Sequence, residues 1–122
     1  MDGIGIHPYA PIEGLDRFSQ PLDLLRSLRP KKLPIWVTEV GLTTTAGQVS
    51  GTEEQQAQAD VAAYRTFHNQ PDVKAILIYT LIDPWDPATR SEDGFGIVRG
   101  DLSEKPAYCA LAKETGARSR CP

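Results

Sequence analysis

Three short apolar runs, with helix-like segments between them, constrain the fold of this chain most strongly. The runs are rich in β-branched residues and occupy residues 3–6, 34–40 and 73–80. Strands that are apolar along nearly their whole length are typical of parallel sheets covered on both faces. The runs therefore predict three parallel strands.

The segments that follow the first two runs carry helix signals. Residues 21–29 place leucines three apart and end before Pro30, which cannot continue a helix. A second helix is predicted from the capping box of Thr52 and Gln55, and it ends before Pro71. Both helices are long enough to connect neighbouring parallel strands.

The second helix also carries an apolar stripe, and a third helix ends the pattern. The stripe repeats at intervals of four, three and four residues: Ala57, Val61, Tyr64 and His68. The third helix is predicted over residues 106–115, with Gly116 as its C-terminal stop. The order strand, helix, strand, helix, strand, loop, helix predicts an α/β fold with right-handed crossovers.

A long loop over residues 81–102 separates the third strand from the last helix. A loop of this length in a compact domain is usually functional. It contains the aromatic residues Trp85 and Phe95. Its acidic residues are expected to be solvated loop or turn residues: Asp83, Asp86, Glu92 and Asp93.

Charge and composition argue against two classes of partner. The 122 residues include 13 Lys and Arg and 16 Asp and Glu, a formal net charge of −3. This mild acidity argues against nucleic acid, whose binding usually requires a basic patch. No apolar run approaches the roughly 20 residues of a membrane helix. The first residues also lack the basic and apolar segments of a signal peptide.

The two cysteines, Cys109 and Cys121, are too few for a disulfide-stabilised scaffold. Neither has a Cys or His at the spacing of metal ligands, so no metal site is predicted. Of the two alternatives for these thiols, free cysteines are favoured over a bridge between them.

Polar and aromatic side chains follow each predicted strand where it ends. The first strand ends in His7 and Tyr9, the second contains Glu39, and the third ends at Tyr79. In parallel α/β sheets, chemistry takes place at the carboxyl ends of the strands. These residues are therefore predicted to lie on one rim.

Glu39 is the sharpest candidate, because a carboxylate interrupts an apolar strand and a buried charge is costly without a partner. It is either a catalytic carboxylate or a strand-end residue paired with a helix Lys or Arg. Tyr9 could donate its phenol hydrogen bond to Glu39 and hold the carboxylate ionised. His7 and Tyr9 alone are weak evidence for a site, because a structural histidine is the commoner case.

Tyr79 and Trp85 also have two interpretations. Aromatic residues at these places commonly pack in the core or against loops. Alternatively, each offers a flat apolar surface on which the apolar face of a sugar ring can stack. Both are therefore candidate substrate-binding residues.

Four segments extend this pattern along the chain: Asp2-Gly3-Ile4-Gly5-Ile6-His7-Pro8-Tyr9, Leu33-Pro34-Ile35-Trp36-Val37-Thr38-Glu39-Val40-Gly41, Tyr79-Thr80-Leu81-Ile82-Asp83 and Lys105-Pro106-Ala107-Tyr108. In this order and spacing they resemble the last third of a clan A glycoside hydrolase. More narrowly, they are similar to bacterial cellulase-type or β-xylosidase-like (β/α)₈ barrels. The second segment is the most specific, and the resemblance spans nearly the whole chain.

The resemblance implies a partial TIM barrel of about three βα units, containing strands six to eight with their helices. It implies that Glu39 is the nucleophile, that Tyr9 orients it and that His7 lies near the sugar. Tyr79 lies near the position of a sugar-platform tryptophan in many members. No metal or organic cofactor is implied. The family implies a secreted bacterial enzyme, with any signal peptide upstream.

Such barrels run to about 250 residues or more, so residues 1–122 are expected to be a single C-terminal fragment of a catalytic domain. The family's acid/base is a Glu on strand four that usually follows Asn, and this sequence has no Asn-Glu pair. The chain alone is therefore expected to be inactive, and to need the other strands or self-association. Its open sheet face is expected to expose Ile4, Ile6, Val37, Ile76 and Ile78.

Three hypotheses on function remain. The favoured one is the C-terminal portion of a retaining glycoside hydrolase that cleaves O-glycosidic bonds of poly- or oligosaccharides. The second is a non-catalytic carbohydrate-binding or assembly remnant of such a barrel. The third is a small α/β domain of unrelated function.

Overall fold

The computed structural model describes residues 2–28, 33–84 and 90–121. Its strands are β1 (Ile4–Ile6), β2 (Ile35–Val40) and β3 (Val73–Ile78), and its α-helices are α1 (Gln20–Leu28), α2 (Glu53–His68) and α3 (Pro106–Thr115). Two 3-10 helices cover Ile12–Arg17 and Ser91–Gly94. The three predicted strands and three predicted helices are thus all present, with small shifts at their ends.

The strands form one parallel sheet in the order β1-β2-β3. This confirms the coarse prediction of a small α/β domain whose neighbouring strands are joined by helical connections. Because all three strands run in one direction, their carboxyl ends meet on one rim of the sheet. Both outer edges belong to short strands.

The helix ends follow the predicted signals where the structure describes them. The side chain of Thr52 accepts from the Gln55 amide, and the Gln55 side chain accepts from the Thr52 amide, which completes the capping box of α2. Gly116 ends α3 at a φ of 70°, a left-handed conformation that favours glycine. Pro30, the predicted stop after α1, lies outside the described residues.

The core is centred on β2, whose inward side chains pack against α1 and α2. Among the described residues, the core consists of eight buried apolar residues: Ala10, Phe18, Leu22, Ile35, Val37, Val40, Ala63 and Phe67. The rings of Phe18 and Phe67 meet edge to face with centroids 6.2 Å apart. Burial of this set provides the main drive for folding.

The buried face of α2 differs from the predicted stripe. The buried residues are Gln56, Ala59, Asp60, Ala63 and Phe67. The predicted set is only partly buried or exposed: Ala57, Val61, Tyr64 and His68. The repeat indicated the helix but does not mark its core face, because the polar residues Gln56 and Asp60 occupy that face and hide its apolar periodicity.

The sheet face away from the helices is apolar and uncovered by the described residues. It carries Gly5, Trp36, Ala75 and Leu77, because Gly5 pairs with Trp36 and Trp36 pairs with Ala75. Trp36 is 44% exposed and Leu77 is 49% exposed. We call this set the open face.

The residues predicted for the open face were mostly wrong. Val37 is fully buried, and Ile6, Ile76 and Ile78 pack against the core, while Ile4 is partly exposed. The helices cover the face that carries these β-branched residues, which leaves the alternate positions open. An extra residue in β3, Lys74, lies between the partners of Ile35 and Trp36 and also shifts the alternation.

Cys109 and Cys121 form a disulfide, so the expectation of free cysteines was wrong. Their Cα atoms lie 5.5 Å apart, within the range that a disulfide spans. The turn after α3 makes this possible, since the Ala117 amide donates to the Ala112 carbonyl and the tail returns along the helix. Spacing along the sequence does not reveal such a reversal.

The open face predicts self-association of the isolated chain. We expect light scattering to show species larger than a monomer, because water contact with Trp36 and Leu77 is unfavourable. Leu77→Glu should shift the distribution towards monomer. Leu102→Glu is the matched control, since Leu102 is 67% exposed on a turn elsewhere, and it should leave the distribution unchanged. A monodisperse parent monomer with a sharp cooperative melt would contradict this expectation.

Candidate active site

Glu39 leaves the buried face of β2 through an irregularity in strand pairing. Val37 pairs with Ile76 and Val40 pairs with Ile78, so β2 contains one more residue than β3 in this interval. Such a bulge re-aims the side chains beside it. Strict alternation would place Glu39 beside buried Val37, but Val40 takes the buried position. The Glu39 side chain is instead 38% exposed.

Two residues at the end of β1 contact the Glu39 carboxylate. The Tyr9 hydroxyl donates to Glu39 Oε2 at 2.9 Å. His7 Nδ1 lies 3.6 Å from the same oxygen, so its attraction to the carboxylate requires a protonated imidazole. The predicted hydrogen bond between Tyr9 and Glu39 is therefore confirmed. Within the described ranges, no Lys or Arg is paired with Glu39.

The environment keeps Tyr9 in its protonated, donating form. Burial raises the pKa of Tyr9 above its ordinary value, and the hydrogen bond and negative charge of Glu39 raise it further. A phenol in this state donates a hydrogen bond to the carboxylate throughout the neutral range. The pair thus fixes the direction of one carboxylate oxygen and leaves the other available for further contacts.

Three aromatic rings pack together beside the Tyr9–Glu39 hydrogen bond. The Phe95 ring lies between Tyr9 and Tyr79, with centroid distances of 5.7 Å and 5.5 Å, and it meets both edge to face. Phe95 is only 8% exposed. Gly41 is required beside the cluster, because a Cβ there would collide with the Tyr79 carbonyl oxygen.

Of the three residues predicted to contact the sugar, two lie within the described residues. His7 and Tyr79 both lie at the rim, and the Tyr79 side chain packs on Phe95 while staying partly exposed. The peptide bond between Tyr79 and Thr80 is cis. Trp85 lies outside the described residues. The roles of these residues in sugar binding stay predictions.

The loop after β3 is ordered by backbone hydrogen bonds to the strand end. The Thr80 amide donates to the Phe95 carbonyl, and the Ile97 amide donates to the Thr80 carbonyl, both at 3.0 Å. Val98 continues this pairing with Ile82. The second half of the loop therefore extends the sheet rim and brings Phe95 to the site.

A buried polar cluster fixes the same loop from the helix side. The Lys105 ammonium is 2.5 Å from Asp83 Oδ2, and it also donates to Thr44 Oγ1 at 3.1 Å and the Gly94 carbonyl at 3.3 Å. Lys105 is 2% exposed. Its amine thus joins the chain after β2, the chain after β3 and the start of the Phe95 segment.

The acidic loop residues were only partly predicted. Asp83 was expected to be a solvated turn residue, but it pairs with buried Lys105 and accepts from the Gly96 amide at 2.6 Å. The expectation was wrong because the sequence does not show that Lys105 returns to the same loop. Asp93 does serve a turn, since its carboxylate accepts from the Arg90 amide. Asp86 lies outside the described residues, and Glu92 is exposed.

Gln56 completes this cluster from α2. Its Nε2 lies within 2.9–3.3 Å of the carbonyl oxygens of Leu42, Gly94, Phe95 and Gly96. An amide with two hydrogens shares them among these four acceptors. The carbonyls on both sides of Phe95 therefore converge on one buried side chain.

Asp60 lies one helical turn beyond Gln56 and is 1% exposed. Neither of its carboxylate oxygens has a hydrogen-bond partner within the usual distance among the described residues. Burial raises the pKa of Asp60 to about 8, while the charge of Lys105 and the Leu42 backbone lower it less. Asp60 is therefore largely protonated at neutral pH.

Residues 2–28, 33–84 and 90–121 contain no cluster of three or more His, Cys, Asp or Glu side chains suited to a metal ion. Within the same ranges, none of the helices combines the length and the apolar character needed to cross a membrane.

The structure is similar to parts of several solved glycoside hydrolases. A family 39 glycoside hydrolase from Bacteroides cellulosilyticus WH2 matches with a TM-score of 0.71 and 25% identity, over 93% of this chain and 26% of that one. A β-glucuronidase from Bifidobacterium dentium, complexed with coumarin-3-O-glucuronide, matches with a TM-score of 0.71 and 21% identity, over 100% and 22%. A β-galacturonidase from Eisenbergiella tayi, bound to galacturonate, matches at 0.72 and 18%, over 93% and 23%.

These likenesses concern the fold of a portion of each enzyme, since the chain spans about a quarter of their length. No family model matches the sequence, and no curated protein matches it either. The resemblance to glycoside hydrolases inferred from the sequence is thus supported at the level of the broad class. The chain shares its fold with a portion of each of these enzymes.

Asp60 predicts a pH dependence of stability. The pKa of Asp60 is about 8 in the folded chain, and its ordinary value is 3.8. Between these two pH values the folded state therefore binds more protons than the unfolded state. The free energy of unfolding should therefore fall as pH rises from about 4 to 8. Each pKa unit is worth about 1.4 kcal/mol, so the change accumulates to several kcal/mol. Asp60→Asn should remove this slope in urea unfolding.

The matched control is Asp16→Asn, because Asp16 is exposed and the same carboxyl group is replaced by an amide. It should keep the slope of the parent chain. If Asp60→Asn and the parent show parallel pH profiles, the carboxyl of Asp60 is not held protonated in the folded state.

Proposed function

We propose that this chain is the last part of a retaining glycoside hydrolase barrel of clan A, cellulase-type or β-xylosidase-like. The strands β1, β2 and β3 would then be strands six, seven and eight. The enzyme would cleave O-glycosidic bonds of poly- or oligosaccharides, with Glu39 as its nucleophile. Residues 1–122 would form one C-terminal portion of the catalytic domain.

One observation carries this proposal. The Tyr9 hydroxyl and His7 Nδ1 converge on a single Glu39 oxygen, at 2.9 Å and 3.6 Å, across the ends of adjacent parallel strands. A carboxylate that is oriented and partly open to solvent fits the requirements of a nucleophile. The likeness to parts of glycoside hydrolases supports this assignment independently of the side chains.

The chemistry assigned to Glu39 is a double displacement. A carboxylate oxygen of Glu39 attacks the anomeric carbon as the bond to the leaving oxygen breaks, and a second carboxyl group protonates that oxygen. Water, deprotonated by the second group, then attacks the anomeric carbon and releases Glu39. Two carboxyl groups about 5 Å apart perform these steps in retaining enzymes.

The neighbours of Glu39 have supporting roles in this proposal. Tyr9 orients the carboxylate through its hydrogen bond, and His7 lies where it can meet a sugar hydroxyl. Tyr79 and Trp85 are proposed to contact the sugar ring through their aromatic faces. No cofactor enters the proposed reaction.

The second carboxyl group is proposed to come from other barrel strands of the same enzyme. The sequence holds no Asn-Glu pair of the kind that resembles the family's acid/base. The open face with Trp36 and Leu77 is the surface that those strands would cover. The isolated chain therefore requires this complement, or self-association, to complete the site.

The test is covalent labelling of Glu39 by fluoro-glycosides with a dinitrophenolate leaving group. Such a leaving group needs little protonation, and the fluorine beside the anomeric carbon slows release of the glycosyl-enzyme. We expect one adduct on the peptide that contains Glu39, measured by mass spectrometry. Glucosides, xylosides and glucuronides should be compared, because sugar specificity depends on further loops.

Glu39→Gln should abolish the adduct, and Glu13→Gln should leave it unchanged, because Glu13 is an exposed carboxylate outside the site. An unactivated oligosaccharide should not be turned over by the chain, since acid-base assistance is worth about 10²–10⁴-fold. Robust turnover that survives Glu39→Gln would refute the assignment. Sugar binding without any adduct would favour the non-catalytic, carbohydrate-binding alternative.

A further inference from the structure

We infer that Phe95 is a positioning residue that holds Tyr9 in its hydrogen bond with Glu39. The inference deepens the proposed function and rests on it for the role of Glu39. Phe95 carries no group that takes part in the proposed reaction. Its effect passes through the Tyr9 ring.

The Phe95 ring fixes Tyr9 by contact. It meets Tyr9 edge to face at 5.7 Å and Tyr79 at 5.5 Å, and so it links the ends of β1 and β3 beneath the rim. The Tyr9 hydroxyl reaches Glu39 Oε2 at 2.9 Å. A swing of the Tyr9 side chain about χ1 would lengthen that bond, and contact with the Phe95 ring opposes such a swing.

The Phe95 backbone is itself held on two sides. Its carbonyl accepts from the Thr80 amide at 3.0 Å and from Gln56 Nε2 at 3.2 Å. The preceding carbonyl, of Gly94, accepts from the Thr44 amide at 3.0 Å and from the Lys105 ammonium at 3.3 Å. The ring is therefore attached to a rigid buried cluster and not to a free loop.

The following residue, Gly96, is fixed just as tightly. Its amide donates to Asp83 Oδ1 at 2.6 Å, and a Cβ at Gly96 would collide with the Asp83 backbone. The segment Gly94-Phe95-Gly96 thus has room for a single side chain. That side chain is directed to the two tyrosines, which accounts for a buried aromatic ring between two glycines.

The substitution Phe95→Leu distinguishes the effect of the aromatic ring from the effect of filling the pocket with an apolar side chain. Leucine keeps an apolar side chain in the pocket but loses both edge-to-face contacts. Each aromatic pair of this kind contributes an energy that corresponds to about twofold to thirteenfold in a rate. We expect labelling of Glu39 by the dinitrophenyl fluoro-glycoside to slow by this factor in Phe95→Leu.

A double-mutant cycle tests whether the effect passes through Tyr9. We expect Tyr9→Phe to slow the labelling, and Tyr9→Phe combined with Phe95→Leu to be no slower than Tyr9→Phe alone. Additive slowing would overturn the inference, because Phe95 would then act independently of the hydrogen bond.

A second measurement does not depend on sugar chemistry. The titration of Tyr9 is followed in the full chain by the ¹³Cζ signal of labelled tyrosine, assigned with Tyr9→Phe. The contact with Glu39 and burial raise the pKa of Tyr9 above its ordinary value of 10.0, and we expect Phe95→Leu to lower it. An unchanged Tyr9 titration would overturn the inference. If the parent chain is not labelled but this titration shifts, the proposed function fails while the positioning role stands.

Phe18→Leu is the matched control. Phe18 is 2% exposed and makes a comparable edge-to-face contact with Phe67 in the core, away from the rim. It should lower stability without changing the Tyr9 titration or the labelling rate of the folded fraction. An equal shift of the Tyr9 titration in Phe18→Leu would reduce the role of Phe95 to general core stability and overturn the inference.

Discussion

The buried ammonium of Lys105 is the interaction on which the rim of this sheet depends. It lies at the start of α3 and joins Asp83, Thr44 and the Gly94 carbonyl. A buried ion pair offsets its desolvation cost only with good geometry and additional hydrogen bonds, and Lys105 has both. What the cluster contributes is a defined arrangement, since it connects the segments after β2 and β3 at one point.

The same cluster connects the buried polar side chains to the Phe95 ring, and through that ring to Tyr9. Gln56 and Lys105 gather the carbonyls around Phe95, and the Phe95 ring meets Tyr9 next to Glu39. Each link is a direct contact. Under the proposed function, a carboxylate held in this way would lose little freedom when a substrate binds.

The sequence predicted the strands, helices and strand-end residues because these follow from local patterns of apolar residues, caps and stops. Tyr9 and Glu39 could be paired from the rule that parallel strands end on one rim. The bulge at Glu39, the buried Gln56 and Asp60, and the disulfide could not be predicted, because each depends on where distant segments pack. Phe95 was visible only as an aromatic residue in a long loop, and its flanking glycines were the one local signal.

Two features of the fold call for the same complement: the uncovered sheet face and the site at Glu39. The open face carries Trp36 and Leu77 exposed to solvent, and the rim of the sheet holds the oriented carboxylate of Glu39. Under the proposed function, the barrel strands that cover the open face would also supply the acid/base carboxyl group that acts together with Glu39. Covering the face excludes water from the rim, which strengthens the hydrogen bond of Tyr9 to Glu39 and every charge interaction beside it. Burial of the sheet and activation of the site would thus be one event, because the same strands accomplish both.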